Sequence, residues 1–459
     1  MSADVEALFE QIIREVPDYK TFLSVDELNA SSKQLEQEFP DIVSISNAGV
    51  SRRGEQIPCM KIGSYDKAVF LFGCPHPNEP IGTMMLEYLT RRLAEDKSLR
   101  DLFGYTWYVI KCIDPDGTRL NEGWFKGPFT LQNYARNFYR PASFDQAEWT
   151  FPISYKTLNW QTPIPETKAL MKIIDETEPE FMFSLHNAGF GGVYYYVSAE
   201  CEPMYPKMLS LATDQQLPLS LGEPEMPYAR TLYDAIYAMP STKDSYEYFA
   251  KYTSKDPATI ISAGTSSFDY AKDRGTKLTL VCEMPYFYDP RINDLSQTDV
   301  TRREAVLESV RSAEEQMQFM SVMLQRVKPL ITQHNPFMVP IEEGVKRGRD
   351  AIIAKKAWAE SDESMSKPAT QAQLFDNLHV DQFYKCLSLG MLVRAIELEL
   401  QHTQSDELED ALAAAMHEFD TKVSNLEEGL NYHVIPIKKL VSVQLGAALY
   451  MAHYVSTSL

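Results

Sequence analysis

The sequence predicts an α/β protein, a sheet flanked by helices, followed by an all-helical C-terminal region. Three observations predict it. Predominantly apolar runs at 68–72, 105–113, 181–185 and 278–282 have the length and composition of buried strands. Helical spacing separates two pairs of them, and strand–helix–strand alternation implies parallel pairing with right-handed crossovers. After residue 330 strand signals become few, and helical periodicity occupies 342–358, 380–402, 405–430 and 436–455. The chain therefore divides into 1–329, which carries the sheet, and 330–459, an appended helical region.

The elements follow in order. Residues 1–40 read as helical, and Ser24 with Glu27 three residues on fits a capping box opening a helix that ends near Phe39-Pro40. Strands are expected at 43–50 and 59–62, with Arg52-Arg53-Gly54 as the turn between them. The buried run to Phe72 leads into Gly73-Cys74-Pro75-His76, and a helix with proline in its first turn follows over 80–95. The strand from Tyr105 ends in Asp114-Pro115-Asp116-Gly117, a strong turn signal. Residues 117–163 are irregular and rich in aromatic and polar groups, and a loop of that length is normally functional. A helix from Pro165 to about Glu176 precedes the strand that ends at His186. Another is expected over 299–327. Ser361 to Pro368 reads as an exposed linker.

Composition excludes several classes. At 459 residues the chain exceeds one ordinary core, so two domains are the default. A net charge of −20 argues against nucleic-acid binding and against anionic membrane surfaces. No apolar run is long enough to span a bilayer. The acidic Met1-Ser2-Ala3-Asp4 start lacks the pattern of a secretory signal, and six scattered cysteines suggest reduced, buried thiols. The expected location is the cytoplasm.

Histidine is scarce: before residue 330 there are only His76 and His186. Each stands just past a buried strand, and Glu283 closes a third. A histidine at a strand end is usually a polar residue at a boundary. The joint pattern is harder to reach by accident, because ligand sites of open α/β sheets lie beyond the strands' carboxyl ends. His76-x-x-Glu79 aims two ligands from one turn, and His186 arrives from a distant strand. Two imidazoles and one carboxylate form a three-ligand zinc site with an open fourth position. Glu283 is then free to act as general base toward a water acidified by the Zn2+ ion. Arg119 follows the Asp-Pro-Asp-Gly segment, and Arg136 and Arg140 flank Asn137-Phe138-Tyr139. Guanidinium groups on a loop near a metal suggest a substrate that carries a carboxylate. The six histidines beyond residue 330 show no ligand spacing.

These motifs resemble the zinc metallocarboxypeptidase family over roughly residues 20–325. The matching segments are Gly49 to Gly54, His76-Pro77-Asn78-Glu79, Asp114 to Gly117, Arg136-Asn137-Phe138, Pro165-Glu166-Thr167, Ser184-Leu185-His186-Asn187 and Glu283. The resemblance implies a carboxypeptidase A-like mixed eight-stranded sheet wrapped by helices, and a single zinc on His76, Glu79 and His186. It also implies Glu283 as base, Arg119 at the oxyanion, Arg136 and Asn137 on the substrate's carboxylate, and Phe268 where side-chain preference is set. Ala135 stands where the family has Asn, and Ile261 where its substrate-capping Tyr falls. Those departures favour an alternative, a deacylase of small N-acyl amino acids of the succinylglutamate desuccinylase and aspartoacylase type. A non-catalytic binding protein on the same scaffold is the third reading, disfavoured by the complete ligand set. The expected partner is a peptide or small amide substrate with a carboxylate. Residues 330–459 have no counterpart in the digestive enzymes and are open to three roles: a lid, a platform for partners, or a homo-oligomer interface.

Overall fold

The computed structural model describes residues 1–459. The sheet is mixed and has nine strands, one more than the family resemblance implies. In chain order they are β1 (Val43–Val50), β2 (Gln56–Ile62), β3 (Lys67–Gly73), β4 (Tyr105–Ile110), β5 (Phe181–Leu185), β6 (Tyr194–Val197), β7 (Thr231–Tyr233), β8 (Ile236–Ala238) and β9 (Leu278–Glu283). In space the order is β1-β2-β4-β3-β5-β9-β6-β8-β7. The four central strands β4, β3, β5 and β9 are parallel, so their carboxyl ends share one edge. Antiparallel partners flank them, β2 on one side and β6 on the other.

The principal helices are α1 (Ala3–Arg14), α2 (Val25–Glu38), α3 (Ile81–Glu95), α4 (Leu131–Asn137), α5 (Pro165–Thr177), α6 (Arg302–Val327), α7 (Met338–Ser361), α8 (Asp381–Leu400), α9 (Asp406–Glu428) and α10 (Ile437–Ser458). The capping box at α2 is present in both directions: Glu27 N–H donates to Ser24 Oγ, and Ser24 N–H donates to Glu27 Oε2. Asp114-Pro115-Asp116-Gly117, expected as a turn, opens a short helix, Pro115–Arg119. Asp114 caps it by accepting the Gly117 N–H at 2.9 Å, and Pro115 brings a fixed φ suited to the first helical position. The linker expected at Ser361 to Pro368 is partly folded, since Met365 is buried beside Trp358. Helix α3 presses directly on β5: a Cβ at Gly82 would lie 2.4 Å from the Cβ of Leu185, so only glycine fits there.

Helices of 330–459 are integrated with the sheet. One cluster of buried apolar side chains runs continuously from Phe9 through the central strands to Val455. Helix α10 is buried around most of its circumference, as expected of an interior helix. It packs against α1 and α3 and lies on β5 and β9. The Gln444 amide on α10 donates to the carbonyl oxygens of His186 (2.8 Å) and Cys282 (3.3 Å), the ends of those two strands. All six cysteines are buried and unpaired. No helix is long and apolar enough to cross a membrane.

Candidate metal and catalytic site

The parallel register delivers the site. Gly73 of β3 pairs with Leu185 of β5, and Ser184 pairs with Val281 of β9. His186 and Glu283 therefore emerge level with each other, two residues beyond that last pair. The turn after β3 carries His76 and Glu79 alongside them. All four are almost completely buried. His76 Nδ1 lies 3.1 Å from Glu79 Oε1, His186 Nδ1 lies 3.2 Å from Glu79 Oε2, and Glu283 Oε1 is 3.8 Å from His186 Nδ1. The sequence-derived donors His76, Glu79 and His186 thus come together, with ligand atoms within 4.8 Å of one another.

Hydrogen bonds orient His186. Its Nε2 is 2.9 Å from Ser184 Oγ, and Ser184 donates to Glu148 Oε2 at 3.1 Å. Because the serine proton goes to the carboxylate, its oxygen accepts from the imidazole, and Nε2 carries the hydrogen. That leaves Nδ1 facing the cluster, the arrangement of a metal-ligating histidine held by an outer hydrogen bond. Glu148 is completed by the N–H and O–H of Ser267. Asn187 steadies Glu79: its N–H donates to Glu79 Oε2 at 3.2 Å, and its Oδ1 accepts from Ile81 N–H and Tyr286 O–H.

The electrostatics favour a cation among these groups. Burial opposes charge on His186, yet Glu79, Glu283 and Glu148 outweigh it and raise its pKa to about 9. Burial and the charge of Arg140 push His76 down to about 3, which keeps its imidazole neutral and available as a donor. His76 Nε2 is buried without a hydrogen-bond partner. Two imidazole nitrogens converging on one carboxylate, with a further carboxylate beside them, fit a zinc donor set with an open position. Burial, reinforced by Glu79, raises Glu283 well above the usual carboxylate range.

The arginines are distributed differently from the sequence expectation. Arg140 lines the cavity, with Nη1 3.5 Å from Glu79 Oε1. Arg119 does not line it, because its guanidinium is engaged by Glu55 (2.9 Å) and Asp26 (2.7 Å). Arg136 points the other way and pairs with Glu397 on α8. Asn137 turns back to Asn133 within its own helix, and Phe268 is buried outside the cavity, its ring 5.0 Å from Lys272 Nζ. The path from α4 to Arg140 is held from both sides. Asn121 bonds the backbone of Tyr139, and the Arg394 guanidinium donates to the carbonyl oxygens of Leu120, Asn137 and Phe138.

Above the strand ends lies a cavity of about 700 Å³. One wall is the sheet edge with Tyr194 and Glu283, and another comes from α7 and α8 through Glu343, Tyr384 and Met391. Tyr384 Oη accepts the Gly189 N–H at 3.3 Å. Ile261 is buried against the Trp358 cluster and lines no part of this cavity. In the sequence Arg140 is one of three loop guanidiniums that suggest a carboxylate-bearing substrate, and the family resemblance gives it no role of its own. Glu148 and the α7–α8 wall carry no local signal at all.

A family profile described as zinc carboxypeptidase matches residues 28–304. Carboxypeptidase B of Astacus astacus is 28% identical over 105 residues, 22% of this chain and 35% of that protein. Zinc carboxypeptidase A 1 of Anopheles gambiae is 30% identical over 126 residues, 24% of this chain and 29% of that one. The chain thus spans about a third of the length of the curated relatives it matches. Carboxypeptidase A from Helicoverpa armigera aligns at 13% identity over 78% of this chain and 81% of that one, with a TM-score of 0.38.

Proposed function

Because the chain belongs to the zinc carboxypeptidase family, we propose that it is a zinc-dependent metallocarboxypeptidase that removes one residue from the carboxyl end of a short peptide. The observation that carries the reading is Glu283, a buried carboxylate 3.8 Å from His186 and outside the His76–Glu79–His186 donor set. Zinc held by those three side chains supplies a Lewis acid and a water acidified toward neutrality. Glu283 Oε1 takes the proton of the attacking water and returns it to the leaving amine nitrogen. Burial raises its pKa above the usual carboxylate range, which makes it a stronger proton acceptor than an exposed carboxylate. Arg140 offers its planar guanidinium to the substrate's terminal carboxylate. The α7–α8 wall limits bulk water around the reacting bond and limits substrate size.

One observation favours a second reading. A cavity of about 700 Å³ walled by helices suits a small molecule as well as a peptide end. Hydrolysis of an N-acyl amino acid uses the same base and the same carboxylate-binding arginine. Product mass spectrometry on zinc-loaded protein separates the two, using peptides with free carboxyl ends, the same peptides amidated, and N-acyl amino acids. Loss of one residue from the free acids alone is expected. Cleavage of the N-acyl amino acids alone would move the protein to deacylation. Turnover that persists within about tenfold in Glu283→Gln would overturn the mechanism.

A further inference from the structure

Helix α10 meets the sheet through a side chain that packing alone does not account for. Gln444 is completely buried, between the equally buried Val443 and Leu445. Its amide nitrogen carries two hydrogens and gives one to each of two strands. The carbonyl oxygen of His186, just past β5, accepts at 2.8 Å, and that of Cys282 in β9 accepts at 3.3 Å. Both neighbours are acceptors, so only the NH2 end of the amide fits between them. The other end, Oε1, is left buried without a hydrogen-bond partner. An unpaired buried acceptor costs free energy, and a methionine of similar size would fill the same space without that cost.

The amide does supply a link between two strand ends. The β5–β9 ladder pairs residues only as far as Ser184 and Val281, and the two groups that matter lie two residues further on. There Gln444 bridges the strands. A planar amide holds its two hydrogens at a fixed angle, which sets the separation of the two carbonyl groups it joins. One belongs to the metal donor His186 and the other to the residue before Glu283, and His186 Nδ1 lies 3.8 Å from Glu283 Oε1. The link extends to a second donor. The Asn187 side-chain amide also gives a hydrogen to the His186 carbonyl oxygen (2.5 Å), and the Asn187 N–H donates to Glu79 Oε2.

We propose that Gln444 is a positioning residue of the site: from a helix 258 residues further along the chain than His186, it sets the spacing of the metal donor and of Glu283 through the ends of their strands. The inference rests on the hydrolase reading for the role of Glu283, but its effect on metal binding is measurable without turnover.

The test compares three variants of the full-length protein. Gln444→Met keeps the volume and removes both donors. Gln444→Asn carries an amide one carbon too short to reach both strands. Ser442→Ala removes another buried polar group of α10, one that bonds the Ile13 carbonyl oxygen and not the strand ends. Zinc affinity is read by competition with a chromophoric chelator, donor geometry by the visible absorption of the Co2+-loaded protein, and folding by thermal circular dichroism. Kinetics use a peptide that the wild-type protein cleaves. Gln444→Met is expected to fold, to bind zinc at least about tenfold more weakly, as loss of an outer contact to a metal ligand does, and to shift the cobalt bands. It should also lower kcat more than it raises KM. Gln444→Asn should fall between it and wild type, and Ser442→Ala should match wild type in metal binding and kinetics. Wild-type zinc affinity and cobalt bands in Gln444→Met overturn the proposal even if its Tm falls, since a merely structural glutamine affects stability alone. Equal weakening of zinc binding in Ser442→Ala overturns it too. If only Gln444→Asn folds, the same criteria apply to it; if neither Gln444 variant folds, the role is structural and the proposal fails. Weaker zinc binding in Gln444→Met with no peptide cleaved by any form keeps the positioning role and removes the carboxypeptidase reading instead.

Discussion

At the residue scale, roles follow from which partners each charged group already has. Arg119 and Arg136 have their guanidiniums satisfied by carboxylates outside the cavity, whereas Arg140 reaches the metal donors. Arg140→Met should therefore lower kcat/KM by about a hundredfold, as loss of a preorganised cation does. Arg136→Met should leave kcat/KM within about threefold, since a half-exposed ion pair contributes little. Steady-state kinetics of the two variants decide it, and equal losses would mean that Arg140 has no special place. Glu283→Gln should lower kcat by at least about a hundredfold while zinc content, measured by atomic emission, stays at one ion per chain. Retained zinc with lost turnover marks a base; lost zinc would make Glu283 a ligand.

At the element scale, close approaches set the site. Helix α8 crosses α4 where a Cβ at Gly390 would lie 2.0 Å from the Ala135 carbonyl oxygen. The same helix sends Arg394 to the backbone just before Arg140. Gly390→Ala must force the helices apart, at a cost of about 1–3 kcal/mol. Urea unfolding should show that loss, and kcat/KM should fall with it because the Arg140 segment shifts. A variant as stable as wild type would show that α8 is free to move. The Asp114 segment teaches the same lesson locally. Its residues favour a turn, yet an aspartate cap followed by proline serves equally well to open a helix, and the packing around Gly117 selects the helix.

At the scale of the whole molecule, the C-terminal region is part of the protein's core and of its cavity. Residues 1–329 expressed alone would expose the faces of β5 and β9 that α10 covers, and would leave the His186 and Cys282 carbonyl groups without Gln444. Thermal unfolding followed by circular dichroism should find no cooperative transition in that fragment. A well-folded fragment would restore the view of 330–459 as an appendage. A metal ion held by His76, Glu79 and His186 would tie β3 and β5 together and so would bind the native state and not the unfolded chain. Removing zinc with a chelator should lower Tm by several degrees, and adding zinc should restore it. An unchanged Tm would place the ion elsewhere.

The donor set was legible because its cause is local. Parallel strands end on one edge, and a rare histidine or glutamate just past an apolar run declares its position before any packing is known. The helices of 330–459 were legible because long segments with few strand or turn signals suit helix, even where, as in α10, burial on most sides leaves little amphipathic contrast. What the sequence alone determined is therefore the α/β class, the order of its central elements and the His76–Glu79–His186–Glu283 constellation. Only the tertiary structure decided which arginine faces the cavity. Arg136 and Arg140 lie four residues apart, and the side each presents depends on contacts to Arg394 and Asn121, distant in the chain. It alone decided that α10 lies on the sheet, that α7 and α8 wall the site, and that Gln444 meets the ends of β5 and β9. Those are contacts between segments far apart in the chain, and their partners are set by packing that no local pattern encodes.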